Sequence, residues 1–259
     1  MENFPFGQPV KKVEQKDRTP KKIFILGVYA SAVHAKWMSN NGKVLINAVA
    51  VASEPYIFWK GDDAEKIISK IKIPLGAGKL KAATEMYNGP SGKALDDKYL
   101  DPLGLTRQEC WLCDLIPYSM LNPNQISALN KHQVMFNKFG IKKHQMRKAT
   151  LKNRRIDITR QKEILNEIKI SKAEYLITLG DEPLKNFIKV FNSDIPSHLS
   201  LLDNYGEINK VNIDGMSIKL LALVHPRQVQ GLGRYSPEWL FAHNKWLDTT
   251  AEKIRKQLL

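Results

Sequence analysis

The chain has 259 residues, 43% of them hydrophobic and 25% charged, which leaves enough apolar side chain for one large α/β core or two small ones, of which one large core is the expectation. Forty Lys and Arg against 26 Asp and Glu give a formal charge of +14, which draws polyanions. Nucleic acid is the first such partner; acidic lipid or plain solubility would use the same charge. No apolar run reaches membrane-spanning length and no basic-then-apolar leader opens the sequence. The two cysteines, Cys110 and Cys113, share one apolar run, a pattern of buried thiols in a cytoplasmic protein rather than of a disulfide framework.

Residues 1–19 are polar and broken by proline, which predicts a flexible N-terminal arm ahead of a single domain over residues 20–259. Ile23, Phe24, Ile25 and Leu26 form a short buried strand ending at Gly27, and the β-branched run from Val44 to Val51 forms a second, with a functional loop between them. Residues 62–72 carry helical spacing that breaks at Pro74 to Gly78. The turn Asn88-Gly89-Pro90-Ser91-Gly92 leads through Lys93 into a helix interrupted near Pro102 and Gly104. Cys110 to Cys113 is a short strand that leaves Asp114 near its edge, because Pro117 stops the ladder.

Residues 125–145 are helix-rich but weakly periodic, and a basic block follows. Lys142, Lys143, His144, Arg147, Lys148, Lys152, Arg154, Arg155 and Arg160 suit either a phosphate backbone or a solvated surface. Ile158 to Ile168 is helical, and Tyr175 to Leu179 is a strand stopped by Gly180, with Glu182-Pro183 opening the next helix. Asp214-Gly215 is a turn pair inside an alternating stretch, which predicts a hairpin delivering Leu220 to Val224 as the last strand. That strand ends on His225-Pro226-Arg227, and residues 237–259 are helical. Strands alternating with helices predict a three-layer α/β/α sandwich around a mainly parallel sheet, with polar residues at strand ends near Tyr29, Asp114, Gly180 and His225.

Gly27-Val28-Tyr29-Ala30-Ser31 lacks the G-x-G-x-x-G geometry of a dinucleotide fold, and the six histidines are dispersed without metal-ligand spacing. No cofactor and no metal are expected.

The ordered set Gly27 to Ser31, Gly89 to Leu95, Gly104 to Arg107, Asp114 to Pro117, Leu179-Gly180 and His225-Pro226-Arg227 resembles the uracil-DNA glycosylase superfamily as a divergent member. The resemblance implies hydrolysis of the N-glycosidic bond of a deaminated or damaged, uracil-like base, with single-stranded or mismatched DNA as partner. It makes His225 the group that stabilises the departing base, and Gly27, Val28, Tyr87 and Asp114 the base pocket. Gly89, Ser91, Gly92, Lys93 and Arg227 would meet the DNA backbone, with Lys148, Arg154 and Arg155 from the basic block. Relatives often carry an acid where this chain has Val28, so Tyr29, Ser31 or His34 is left to orient the water. Relatives often carry asparagine where this chain has Asp114; its carboxylate would accept hydrogen bonds from an amino-bearing edge, hold water or orient Tyr118. The same departures admit a second function, a nucleic-acid-binding protein of this fold with weak or no catalysis.

Overall fold

The computed structural model describes every residue except Met1, Lys142, Lys143, Leu151, Asn153, Arg154, Asp203, Arg234 and Leu259. In chain order the first elements are β1 (Ile23–Tyr29), β2 (Ala32–Met38), β3 (Val44–Ser53), α1 (Ala64–Ile68), β4 (Lys79–Ala82), α2 (Pro90–Leu95) and β5 (Cys110–Ile116). Then come α3 (Pro123–Lys131), α4 (Gln133–Lys138), α5 (Ile158–Ser171), β6 (Tyr175–Leu179), α6 (Asp181–Pro183) and α7 (Lys189–Phe191). The chain closes with β7 (Ile208–Ile213), β8 (Met216–Leu223), α8 (Pro226–Val229), α9 (Ser236–Thr249) and α10 (Ala251–Leu258). No helix among the described residues is long and apolar enough to cross a membrane.

These elements fall into two compact units, where the sequence predicts one domain. Unit 1 comprises Met1–Val13, Tyr29–Pro90 and Pro117–Asn153; unit 2 comprises Glu14–Val28, Ser91–Ile116 and Arg154–Leu259. The expected N-terminal arm is instead packed. In unit 1 Phe4 is 1% exposed, and the Phe6 ring meets Trp37 edge-on at 5.6 Å. Arg147 Nε donates to Glu2 Oε1 at 2.5 Å. Buried aromatic area offsets the ordering of a polar, proline-broken segment, which composition alone does not reveal.

Unit 1 is built on an antiparallel sheet of order β3-β2-β4. β2 and β4 are absent from the elements expected above. β2 carries His34 and Lys36 among apolar residues and lacks a clean period of two, and its pairing with β3 shifts register at three places. Trp37 anchors it: the indole is 0% exposed, packs 4.8 Å from Phe136 and donates to the Ala77 carbonyl at 2.7 Å.

Unit 2 holds a mixed, mostly parallel sheet of order β5-β1-β6-β8-β7, so the molecule is α/β as expected. β1 pairs β6 in parallel and β6 pairs β8 in parallel, whereas β7 closes the edge antiparallel through the Asp214-Gly215 hairpin. Both turn residues have positive φ, 51° and 83°, as a two-residue hairpin requires. Helix α5 sets the direction of β5. Near its start Arg160 donates to the Leu115 and Asp114 carbonyls at 3.0 and 2.6 Å, and farther along Glu167 accepts from the Trp111 indole at 2.9 Å. Its end meets the start of β1, where Lys21 N donates to the Ser171 carbonyl at 2.7 Å. β5 therefore runs parallel to β1, and four strand ends share one edge.

Candidate functional site

The carboxyl edge of the unit 2 sheet is where an open α/β fold exposes strand-end side chains without disturbing its ladder. β8 is buried throughout from Leu220, and Pro226 stops it. His225 becomes the N-cap of α8: its Nδ1 accepts from the Arg227 N–H at 3.1 Å. Because Nδ1 accepts, the neutral ring carries its proton on Nε2, and no described residue takes that proton's hydrogen bond. The residue keeps partial exposure, yet burial of the imidazole, and then the Arg227 charge, lowers its pKa from 6.5 to about 4. His225 is thus a neutral donor across the physiological range.

Three residues that the sequence did not single out hold His225 in place. The backbone of Val224 has both polar groups taken by side chains: Tyr99 Oη donates to its carbonyl at 2.7 Å, and its N–H donates to Tyr205 Oη at 3.1 Å. Tyr205 in turn donates to His243 Nδ1 at 2.8 Å, and His243 Nε2 donates to the Lys98 carbonyl at 3.0 Å. Tyr99 and His243 are almost fully buried, and burial lowers His243 to a pKa of about 4. Tyr99→Phe is expected to lose roughly 1–3 kcal/mol in a urea titration, because the Val224 carbonyl is left without a partner where water does not reach. A loss indistinguishable from zero would show that the clamp contributes nothing. Gly180 completes the support: its φ is +94°, and a Cβ there would stand 3.2 Å from His225 Cβ, so a side chain would be strained and would press on the histidine.

Asp114 lies inside β5 rather than beyond its end, 4% exposed. Alternation along the strand puts its side chain on the face opposite Cys113, whose sulfur meets Arg160 at 3.2 Å. Arg160 spends its donors on the Asp114 and Leu115 carbonyls, the Cys113 sulfur, Glu163 and Glu167. No hydrogen bond from a described residue reaches the Asp114 carboxyl. Burial, only partly offset by the Arg160 charge, raises its pKa from 3.8 to about 7. At neutral pH the group is therefore divided between the accepting carboxylate expected from the sequence and a neutral acid, which also donates. Between β5 and β8 lie β1 and β6, so Asp114 and His225 start from strand axes roughly 14 Å apart.

The other sequence-selected residues divide between the units. Gly27, Val28, Ser91, Gly92, Lys93, Arg155 and Arg227 belong to unit 2, and Tyr29, Ser31, His34, Tyr87, Gly89 and Lys148 to unit 1. The loop expected from Gly27 is absent, because β1 continues through Val28, 8% exposed, to Tyr29. Ser31 is exposed; its N–H donates to Glu54 at 2.9 Å and its carbonyl accepts from the Ser119 hydroxyl. Its own hydroxyl makes no hydrogen bond among the described residues. His34 accepts from Gln125 at 2.7 Å, and its ring lies 6.5 Å from that of half-exposed Tyr87.

Gly89 has a backbone reason to be glycine: a Cβ would fall 1.9 Å from the Lys60 carbonyl carbon, so its freedom serves packing against residues 60–61. The preceding Asn88, expected from the sequence only as a turn residue, is buried and fastens the edge of β2 by accepting from His34 N–H at 2.8 Å and donating to the His34 carbonyl at 2.9 Å.

Of the basic block, Lys148 and Arg155 are exposed, Arg147 pairs with Glu2 and Arg160 is internal. Lys142, Lys143 and Arg154 lie outside the described residues. Arg227 is exposed, and its Nε donates to the Leu232 carbonyl at 2.9 Å, which ties the loop after His225. Cys110 and Cys113 are buried free thiols, raised by burial beyond reactivity at neutral pH.

No protein-family model matches the chain, and comparison with curated proteins finds no match.

Proposed function

We propose that the chain is a DNA glycosylase built on the three-layer sandwich of the uracil-DNA glycosylase superfamily, and that it hydrolyses the N-glycosidic bond of a deaminated or damaged, uracil-like base. One observation carries this reading: a neutral imidazole at the carboxyl edge of a parallel sheet, with Nδ1 capped and the Nε2 proton uncommitted. A departing base leaves with the glycosidic electron pair, and a fixed donor at its carbonyl oxygen is worth more as that charge develops. Water supplies the hydroxyl to the sugar carbon and the released base takes up a proton. Asp114 and Val28 belong to the base pocket of unit 2.

The formal charge of +14 supports attraction to the phosphate backbone, with Lys93, Arg155, Arg227 and Lys148 among its carriers. Extruding a base costs about a few kcal/mol, least in single-stranded or mismatched DNA, which are the preferred partners. The test is release of base from oligonucleotides carrying uracil, hypoxanthine, xanthine or alkylated bases, read by strand cleavage at the abasic product. Release above the His225→Ala background is the expected result, and none on any substrate would overturn catalysis.

Val28 favours one second reading. A buried apolar side chain stands where relatives often carry an acid, so the pocket would recognise a base without cutting its bond. That protein would bind labelled DNA with an affinity falling steeply as salt rises, and release nothing.

A further inference from the structure

The formal charge is not shared evenly between the two units. Unit 1 carries 17 Lys and Arg against 6 Asp and Glu, a formal +11 of the chain's +14, whereas unit 2 carries 23 against 20. The acids of unit 1 are also engaged within it. Glu2 pairs with Arg147, Glu54 accepts from the Ser31 and Trp59 N–H groups at 2.9 and 3.3 Å, Asp62 accepts from Tyr56 Oη at 2.9 Å, and Glu65 accepts from the Ala82 N–H at 3.1 Å. The excess therefore stays on lysines, and strand register gathers three of them.

β2 pairs with β4 antiparallel, with Ala35 opposite Ala82, Lys36 opposite Lys81, Trp37 opposite Leu80 and Met38 opposite Lys79. Ala35, Trp37, Leu80 and Ala82 pack on the core of unit 1, so alternation turns Lys36, Lys79 and Lys81 to the other face of the sheet. Lys79 and Lys81 are exposed and Lys36 is half-buried. Among the described residues, none of the three ammonium groups has an ion pair or a hydrogen bond. Like charges directly opposite in an antiparallel pair repel. Lysine on an edge strand has a use without any ligand, because it keeps a further strand from pairing, and that accounts for Lys79 and Lys81 on β4. It does not account for Lys36, which stands opposite Lys81 on the inner strand of the β3-β2-β4 sheet.

We propose that this face of unit 1 binds the phosphate backbone of a nucleic acid strand, with Lys36, Lys79 and Lys81 each meeting a phosphate. The three positions have a fixed spacing, roughly 5 Å across the pair and roughly 7 Å along β4, and a polyanion of regular repeat relieves the repulsion at all of them. Met38 is the remaining outward residue of this paired stretch, so the face offers no ring for a base to stack on. It holds a strand by its phosphates and reads no sequence. An acidic bilayer is gripped by basic groups together with inserted apolar or aromatic side chains, of which this stretch supplies Met38 alone. The surface goes beyond the glycosylase reading and does not depend on it, since an undamaged strand binds here as well as a damaged one.

The test is binding of the full chain to a fluorescein-labelled, undamaged single strand, followed by anisotropy between about 50 and 200 mM salt. The triple variant Lys36→Gln, Lys79→Gln, Lys81→Gln is expected to bind at least about tenfold more weakly at the low end. It is also expected to lose about two units from the slope of log affinity against log salt, three contacts at roughly 0.7 each. Its urea midpoint is expected at or above that of the native chain, because the Lys36–Lys81 repulsion is relieved. The matching arginine triple variant keeps the charges and is expected to keep the native slope. Lys189→Gln, Lys245→Gln, Lys253→Gln removes the same charge from exposed positions of unit 2 and is expected to leave the slope nearly unchanged. Equal losses in the two glutamine variants would assign the effect to net charge alone. A loss of binding to phosphatidylserine vesicles with the DNA slope unmoved would put a membrane on this face. Either result overturns the proposal, as does a native chain that shows no salt-dependent binding of the strand.

Discussion

His225→Ala is expected to lower single-turnover base release about a hundredfold while changing DNA affinity little, because losing one transition-state donor costs roughly 3 kcal/mol and the donor is needed most when the base is leaving. The substitution also removes the Nδ1 cap on the Arg227 N–H, so the folded state is checked by its circular dichroism and urea midpoint. Since His225 is neutral down to about pH 4, its own titration should not reduce base release between pH 8 and pH 5. Unchanged release in a folded His225→Ala protein would return the residue to the role of a structural N-cap. Arg227→Ala, by contrast, is expected to act on DNA binding, because the lost guanidinium both presents a charge and ties the loop at Leu232.

The second large effect is on stability against pH, where Asp114 and two histidines act with opposite signs. Folded Asp114 has its pKa raised from 3.8 to about 7. Between those values the folded chain holds a proton that the unfolded chain has lost, so stability falls as pH rises through this window and levels off above it. Folded His225 and His243 are lowered from 6.5 to about 4. Between these values the unfolded chain holds the extra protons, so their contribution is present above about 6.5 and is lost as pH falls. Together the three make stability rise to about pH 7 and level off there, because the two histidines outweigh the one carboxyl. Asp114→Asn should remove the opposing contribution: its stability relative to wild type should grow from pH 4 to a plateau above pH 7, by an amount on the order of 4 kcal/mol. Urea titrations of both proteins across that range measure it. A difference constant with pH would mean that Asp114 ionises in the folded state as it does in the unfolded chain.

Much of unit 2 could be read directly from residues. Tyr175 to Leu179 is a run whose one small polar member is Thr178, with Gly180 after it, and burial on both faces of an inner parallel strand produces that pattern. Asp214-Gly215 named its own hairpin, since few residue pairs accept two positive φ values. His225 was legible for the same local reason: a buried strand, then a proline that ends it, leaves one imidazole at the edge.

Tertiary structure decided the rest. Unit 1 draws on three separated stretches of chain: β2 lacks a clean period of two, and β4 alternates over only four residues, Lys79 to Ala82, and takes its edge from β2 about forty residues earlier. The N-terminal segment is ordered by Trp37 and Phe136, which its own polar composition does not foretell. At the site, sequence supplied residue types and the fold supplied their protonation. Asp114 reads as a carboxylate until its strand is buried and Arg160 turns its donors to the backbone, and His225 has no fixed tautomer until the Arg227 N–H occupies Nδ1. Desolvation depends on what surrounds an atom in three dimensions, and even the Arg227 N–H, two residues along, reaches Nδ1 only once the chain has turned into α8.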